Sequence, residues 1–208
     1  SSTQVIGIVN YGLGNIRAFA NVYRQLDIPF RILESAQDFE QVTHLVLPGV
    51  GAFDQAMKRL DRSGMRERLE HSVLHLGTPL LGVCVGLQIL MRESEEGSAK
   101  GLGWIEGDVV RFQLENRTSR LELPHMGWNL CRPLAASALF QDFDADAYFY
   151  FLHSYRVRCD LPANELARSD YGGEFTCAAQ RENILGVQFH PEKSHSAGTR
   201  LLQNFARV

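Results

Sequence analysis

The sequence predicts an α/β fold: an open, mostly parallel twisted sheet with helices on both faces and antiparallel strands added in the C-terminal half. Two observations carry this. Short apolar runs alternate with segments of helical period over the first hundred residues, the pattern of parallel strands joined by crossover helices. After about Gly101 strand patterns follow one another with only turn residues between them. No linker rich in Pro, Gly or Ser separates the two halves, so residues 1–208 read as a single domain.

The first run, Val5 to Val9, is continuously apolar, as a strand buried on both faces should be. A Gly-rich turn, Asn10 to Asn15, leads into a helix with Ile16, Phe19, Ala20, Tyr23 and Leu26 on one stripe. Pro29 breaks that pattern, and Phe30 to Leu33 reads as the second strand. His44 to Leu47 is the third, running into Pro48-Gly49-Val50-Gly51. Ala56, Met57 and Leu60, then Met65, Leu69, Val73 and Leu76, mark two helical pieces. Leu80 to Val83 is the fourth strand, and Gly86 to Met91 opens another helix. Beyond Gly101 the expected strands are Gly107–Leu114, Tyr148–Arg158, Thr176–Gln180 and Ile184–Phe189. A last helix carries Leu201, Leu202, Phe205 and Val208 on one face.

Composition excludes several function classes. With 45 % hydrophobic residues the chain is not disordered. Twenty-one basic and 24 acidic residues leave a net charge of −3, which argues against a broad nucleic-acid-binding surface. The longest apolar stretch, Pro79 to Met91, falls short of the roughly 20 residues a membrane span needs. Nothing near Ser1 reads as a signal peptide, and no two of Cys84, Cys131, Cys159 and Cys177 have C-x-x-C spacing. The expectation is a cytoplasmic protein with four reduced thiols.

Leu80 to Gln88 (LLGVCVGLQ) fits the strand–nucleophile–helix elbow G-x-S-x-G with Cys84 in place of Ser. Residues two before and two after the nucleophile approach each other in such a turn, which explains Gly82 and Gly86. A following helix would aim free N–H groups at the sulfur and favour the thiolate, the reactive form. Cys131, Cys159 and Cys177 lack such flanks and read as structural.

Gly186 to Glu192 (GVQFHPE) supplies a base. His190 would stand at the end of a buried strand, where parallel sheets place their sites. Pro191 fixes the backbone to Glu192, whose carboxylate can hold one imidazole nitrogen and turn the other toward the thiol. His44, His71 and His75 read as structural. His190, Glu192 and His195 match no zinc spacing, so no metal or other cofactor is expected.

Two glycines flanking Val50 allow a peptide to turn its N–H into a cleft, and the N–H groups of Val50 and Val85 could together hold an oxyanion. Gln88 is the one polar residue from Leu80 to Met91. It either bonds the backbone or contacts a substrate close to Cys84.

PGVG, GVCVGLQ and HPE, in this order, resemble the class I glutamine amidotransferases, the Cys-His-Glu glutaminases. NYGLGN (10–15), PHMGWN (124–129), YFLHSY (150–155) and GVQFHPEKS (186–194) look like the glutaminase subunits of imidazole glycerol phosphate synthases, over nearly the whole chain. The resemblance implies that Cys84 attacks the side-chain amide of glutamine and forms a thioester. His190 would act as acid–base with Glu192 as its partner, and Val50 and Val85 as oxyanion donors. Gly51, Gln88, Ser154 and Tyr155 would hold the glutamine. Ammonia would pass to a (β/α)8-barrel cyclase subunit in a heterodimer, which makes imidazole glycerol phosphate and aminoimidazole carboxamide ribotide in histidine biosynthesis. Met126, Trp128, Tyr150 and Lys193 match interface positions, although core packing explains Trp128 and Tyr150 almost as well. The alternative is a relative that supplies ammonia to a partner amidating bacterial surface sugars. Val85 and Leu87 stand where Leu and Met are commoner, with apolar character kept.

Overall fold

A computed structural model describes residues 3–114, 121–143 and 147–208. Its first half is a parallel sheet. Strands β1 (Ile6–Val9), β2 (Phe30–Leu33), β3 (His44–Leu47) and β4 (Leu80–Val83) lie in the order β2-β1-β3-β4. Every residue of β1, β3 and β4 is buried, which requires cover on both faces and explains their unbroken apolar sequences. The fifth parallel member, β11 (Ile184–Val187), pairs with β4 from the far end of the chain, Gly186 beside Gly82.

From β11 the sheet turns antiparallel. β10 (Glu174–Arg181), β9 (Glu165–Asp170), β6 (His125–Pro133) and β7 (Ala147–His153) extend it, and β8 (Tyr155–Cys159) bridges β10 to β5 (Gly107–Arg111). Helix α1 (Ile16–Gln25) packs on the C-terminal helix α5 (His195–Phe205), where the buried Tyr23 hydroxyl donates to the Leu202 carbonyl at 3.0 Å. No helix among the described residues is long and apolar enough to cross a membrane.

The structure departs from the sequence expectations in four places. First, the helix expected from Gly86 to Met91 is a single turn, α4 (Val85–Gln88). Carbonyls of Ile89, Leu90 and Met91 accept instead from Leu102, Trp104 and Gly103, so the loop after Lys100 takes the bonds that a longer helix would have used. Second, α2 (Phe53–Arg62) and α3 (Arg66–Glu70) match the two helical pieces, but α3 runs on as a wide turn, His71–His75. There the Leu76 N–H reaches back five residues to His71, which takes Leu76 off the apolar stripe and leaves it exposed. Third, the strand expected from Tyr148 to Arg158 breaks at Ser154, because β7 pairs with β6 whereas β8 pairs with β5. Fourth, β6 and β9 were not expected as strands. Neither contains a β-branched residue, and their pairing with each other, with β7 and with β10 defines them.

Candidate active site

Three loops leave the C-terminal ends of adjacent parallel strands and meet at one cavity. After β4 the chain turns at Cys84, whose φ of 56° and ψ of −113° lie outside the regions an L-residue favours. The turn is tight enough to exclude side chains at its flanks. A Cβ on Gly82 would come within 2.6 Å of the Gly86 carbonyl oxygen, and one on Gly86 within 2.0 Å of the Leu47 oxygen. The nucleophile-elbow spacing is thus a steric requirement of the turn. The Cys84 N–H donates to the Val187 carbonyl at 2.8 Å, which ties the elbow to the end of β11.

Two residues after that strand end comes Phe189, and then His190, held by its own N–H on the Tyr150 carbonyl at 2.8 Å. Its Nδ1 lies 3.0 Å from Glu192 Oε2, both side chains being 2 % exposed. Nε2 is therefore left for the sulfur. Burial works against charge on this imidazole, but hydrogen bonds and attraction from Cys84 and Glu192 outweigh it and raise its pKa to about 10. Its two partners thus favour the protonated ring. Sequence expectation and structure agree that Cys84, His190 and Glu192 lie together.

The third loop, Pro48 to Gly51, follows β3. Gly49 packs so closely on the elbow that a Cβ there would meet the Gly86 nitrogen at 2.8 Å. Tyr11, from the Gly-rich turn after β1, donates its buried hydroxyl to the Pro48 carbonyl at 2.6 Å. Burial and then the negative field of Cys84 raise its pKa, so the hydroxyl remains a donor. Val85, the first residue of α4, has an N–H with no intrahelical acceptor by position. The anion-favouring element here is this N–H rather than a helix dipole, since α4 is only four residues long.

The cavity has a volume of about 320 Å³, and Val50, Gly51, Cys84, Val85, Gln88 and His190 form one side of it. Ser154 and Tyr155, at the β7–β8 break, form the other, with Lys193 at the rim. Gln88 lines the cavity and also bonds the backbone: its Nε2 donates to the Tyr155 carbonyl at 3.2 Å and to Gln188 Oε1 at 3.1 Å. Sequence reasoning missed Gln188. It is wholly buried and its Nε2 lies 3.7 Å from Cys84 Sγ. A polar side chain inside the apolar run from Ile184 to Phe189 was the available signal.

It also missed a buried pair of histidines, one of which, His153, lines the cavity. The Asn129 amide donates to the Asp170 carbonyl at 2.8 Å and to His125 Nε2 at 3.2 Å. His125 Nε2 must then accept, so its Nδ1 carries the hydrogen and donates to His153 Nε2 at 2.9 Å. His153 in turn donates from Nδ1 to the Tyr155 carbonyl at 2.9 Å. A chain with one direction throughout requires both rings neutral. Burial accordingly pushes His125 down to about 4 and, foremost among its causes, His153 down to about 3.

Of the residues expected at an interface, Met126 and Trp128 are 66 % and 48 % exposed on β6, which removes core packing as the reason for Trp128. Tyr150 sits beside Trp128 with ring centroids 6.2 Å apart, and Lys193 is exposed. His195 does not join His190 and Glu192; its ring stacks on Trp128 at 5.2 Å. Among the described residues no three His, Cys, Asp or Glu side chains cluster as metal ligands. His44 is held between Thr43 and the Val208 carbonyl, as a structural histidine.

Residues 8–208 match the profile of the class-I glutamine amidotransferases. This chain belongs to that family. It is 50 % identical over 98 % of its length to the whole of the imidazole glycerol phosphate synthase subunit HisH of Bdellovibrio bacteriovorus. It is 46 % identical, with the same coverage, to HisH of Leptospira interrogans. At those identities it is a HisH-type amidotransferase. Among solved structures, a glutamine amidotransferase aligns with a TM-score of 0.71 at 20 % identity, over 98 % of this chain and 99 % of that one. PurLQS from Thermotoga maritima also aligns at 0.71, with 16 % identity over 99 % and 98 % of the two chains. These two likenesses show the α/β amidotransferase fold. The HisH relatives narrow it to the synthase subunit.

Proposed function

We propose that this HisH-type chain hydrolyses glutamine to glutamate and ammonia at Cys84, as the glutaminase subunit of an imidazole glycerol phosphate synthase in histidine biosynthesis. The observation that carries the chemistry is a cysteine on a strained elbow that shares one cavity with a buried, carboxylate-held histidine. The sulfur attacks the side-chain carboxamide carbon. A carbon–sulfur bond forms, and the carbonyl electron pair moves onto oxygen, whose negative charge the N–H groups of Val50 and Val85 would stabilise by donating hydrogen bonds. One such donor is worth about 2.7–4 kcal/mol of barrier. His190 gives its proton to the departing nitrogen, the carbon–nitrogen bond breaks, and ammonia leaves a glutamyl thioester. Now neutral, His190 takes a proton from water, whose oxygen displaces the sulfur and frees glutamate. Glu192 keeps the imidazole oriented through both steps. Gly51, Gln88, Ser154 and Tyr155 shape the pocket for the amino-acid end of the substrate.

The partner is a (β/α)8-barrel cyclase subunit that receives the ammonia. Supporting its placement are two exposed apolar side chains of β6, Met126 and Trp128, the second packed on Tyr150, and the exposed Lys193 that lines the cavity. The test is to mix the purified chain with the barrel subunit of an imidazole glycerol phosphate synthase, the barrel's ligand and glutamine. Glutamate and imidazole glycerol phosphate should form together in equal amounts. Formation of glutamate with no product from the barrel would refute the assignment of the acceptor.

A further inference from the structure

The polar groups around Cys84 form a hydrogen-bonded chain whose direction is fixed at one end. The Tyr155 carbonyl can only accept. Gln88 must therefore turn its nitrogen toward it, at 3.2 Å, and the same Nε2 reaches Gln188 Oε1 at 3.1 Å. With its oxygen so engaged, Gln188 has only its nitrogen left for Cys84 Sγ, 3.7 Å away. The opposite amide orientation would set nitrogen against nitrogen at Gln88. Gln188 is 0 % exposed and does not line the cavity, so its amide cannot turn to water; Gln88, at the cavity wall, is held by these two bonds from its Nε2. The backbone of Gln188 is pinned by its own N–H to the Cys177 carbonyl at 2.8 Å. Against this donor stands one acceptor: the Leu152 carbonyl, 3.8 Å from the sulfur, which a thiol proton would satisfy.

We propose that Gln188 is a further catalytic residue, an amide N–H donor to the Cys84 sulfur that favours its anionic form, and that Gln88 is the positioning residue that fixes its orientation. The proposal rests on Cys84 being the nucleophile. It assigns to the pair of glutamines a task distinct from holding substrate. His190 supplies a mobile proton to the leaving nitrogen, whereas the Gln188 amide gives no proton up. It stabilises the sulfur before attack and again when the thioester breaks. A hydrogen bond to a charged acceptor is stronger than one to a neutral atom.

The test compares Gln188→Glu and Gln188→Leu with the unaltered chain, each in complex with the barrel subunit, by the rate at which iodoacetamide labels Cys84. Gln188→Glu keeps the acceptor for Gln88 but sets a carboxylate oxygen against the sulfur. Labelling at pH 7 should slow by about tenfold or more, the worth of one charge-assisted hydrogen bond. Raising the pH should restore the rate. Gln188→Leu, which removes the donor without adding a charge, should slow labelling by about tenfold, and Gln188→Glu by more. Equal labelling rates at every pH in folded variants would overturn the proposal. A second measurement avoids altering Gln188: its side-chain amide proton resonance, followed by NMR, should move when Cys84 is replaced by Ala. No movement would overturn the proposal equally. If the unaltered chain is not labelled at Cys84 at all, the nucleophile assignment itself is wrong.

Discussion

At the scale of single residues, His190 decides how the site behaves with pH. Burial alone would keep its ring neutral; Cys84 and Glu192 reverse that and hold the proton to about pH 10. Replacing Glu192 with Gln removes one of the two groups responsible. We expect the His190 imidazole, titrated by NMR, to stay protonated through pH 9 in the unaltered chain and to lose its proton at lower pH in Glu192→Gln. A titration near pH 6.5 in the unaltered chain would contradict this reading. Glutamate release by Glu192→Gln should fall by about 10²–10⁴-fold, the range of a general acid–base contribution. Gly86 answers a different question, whether the elbow is sterically required. Gly86→Ala forces a methyl group toward the Leu47 oxygen, 2.0 Å from the Cβ position, and should lower stability in urea by at least about 1–3 kcal/mol. Most of the chemistry was legible at this scale. Cys84 and His190 each follow an apolar strand and carry distinctive neighbours, and the glycines have no other reason to be there. Gln188 was legible only as a polar side chain inside an apolar run, because nothing local shows that its amide meets a sulfur 104 residues away.

At the scale of elements, the Gly-rich turn after β1 acquires a purpose that its sequence alone does not reveal. It delivers Tyr11 to the Pro48 carbonyl and so braces the loop that offers the Val50 N–H. Tyr11→Phe leaves that carbonyl buried without its donor, a cost of about 1–3 kcal/mol. The loop should loosen, and kcat for glutamine should fall further than KM rises. An unchanged kcat would show that the brace has no part in the reaction. The parallel strands were legible because burial on both faces writes them as unbroken apolar runs. β6 and β9 were not. His-Met-Gly-Trp-Asn alternates an inward polar histidine with outward apolar side chains, the inverse of an ordinary half-buried strand. The outward face is what a docking partner would cover, and the inward histidine serves the chain that ends on the Tyr155 carbonyl.

At the scale of the whole molecule, that buried chain links stability to pH. His125 and His153 titrate at about 4 and about 3 in the folded protein, below the value of about 6.5 for an unperturbed histidine. The unfolded chain therefore binds more protons between those limits, and stability is lost as pH falls from about 6.5 toward 4. Because the two rings share a hydrogen bond their costs do not add, and the pair loses on the order of 2 kcal/mol by pH 5. The urea midpoint should drop between pH 7 and pH 5, and by less in His153→Gln. An equal drop in that variant would assign the acid sensitivity elsewhere. The break at Ser154 also belongs to this scale, since β7 and β8 separate only because they pair with different strands. No local pattern reports that choice. The most direct measurement of the central claim is glutamate release from glutamine by Cys84→Ala in complex with the barrel subunit. The account predicts a loss of at least about a thousandfold, with the complex still assembling. Release at the rate of the unaltered chain would contradict it.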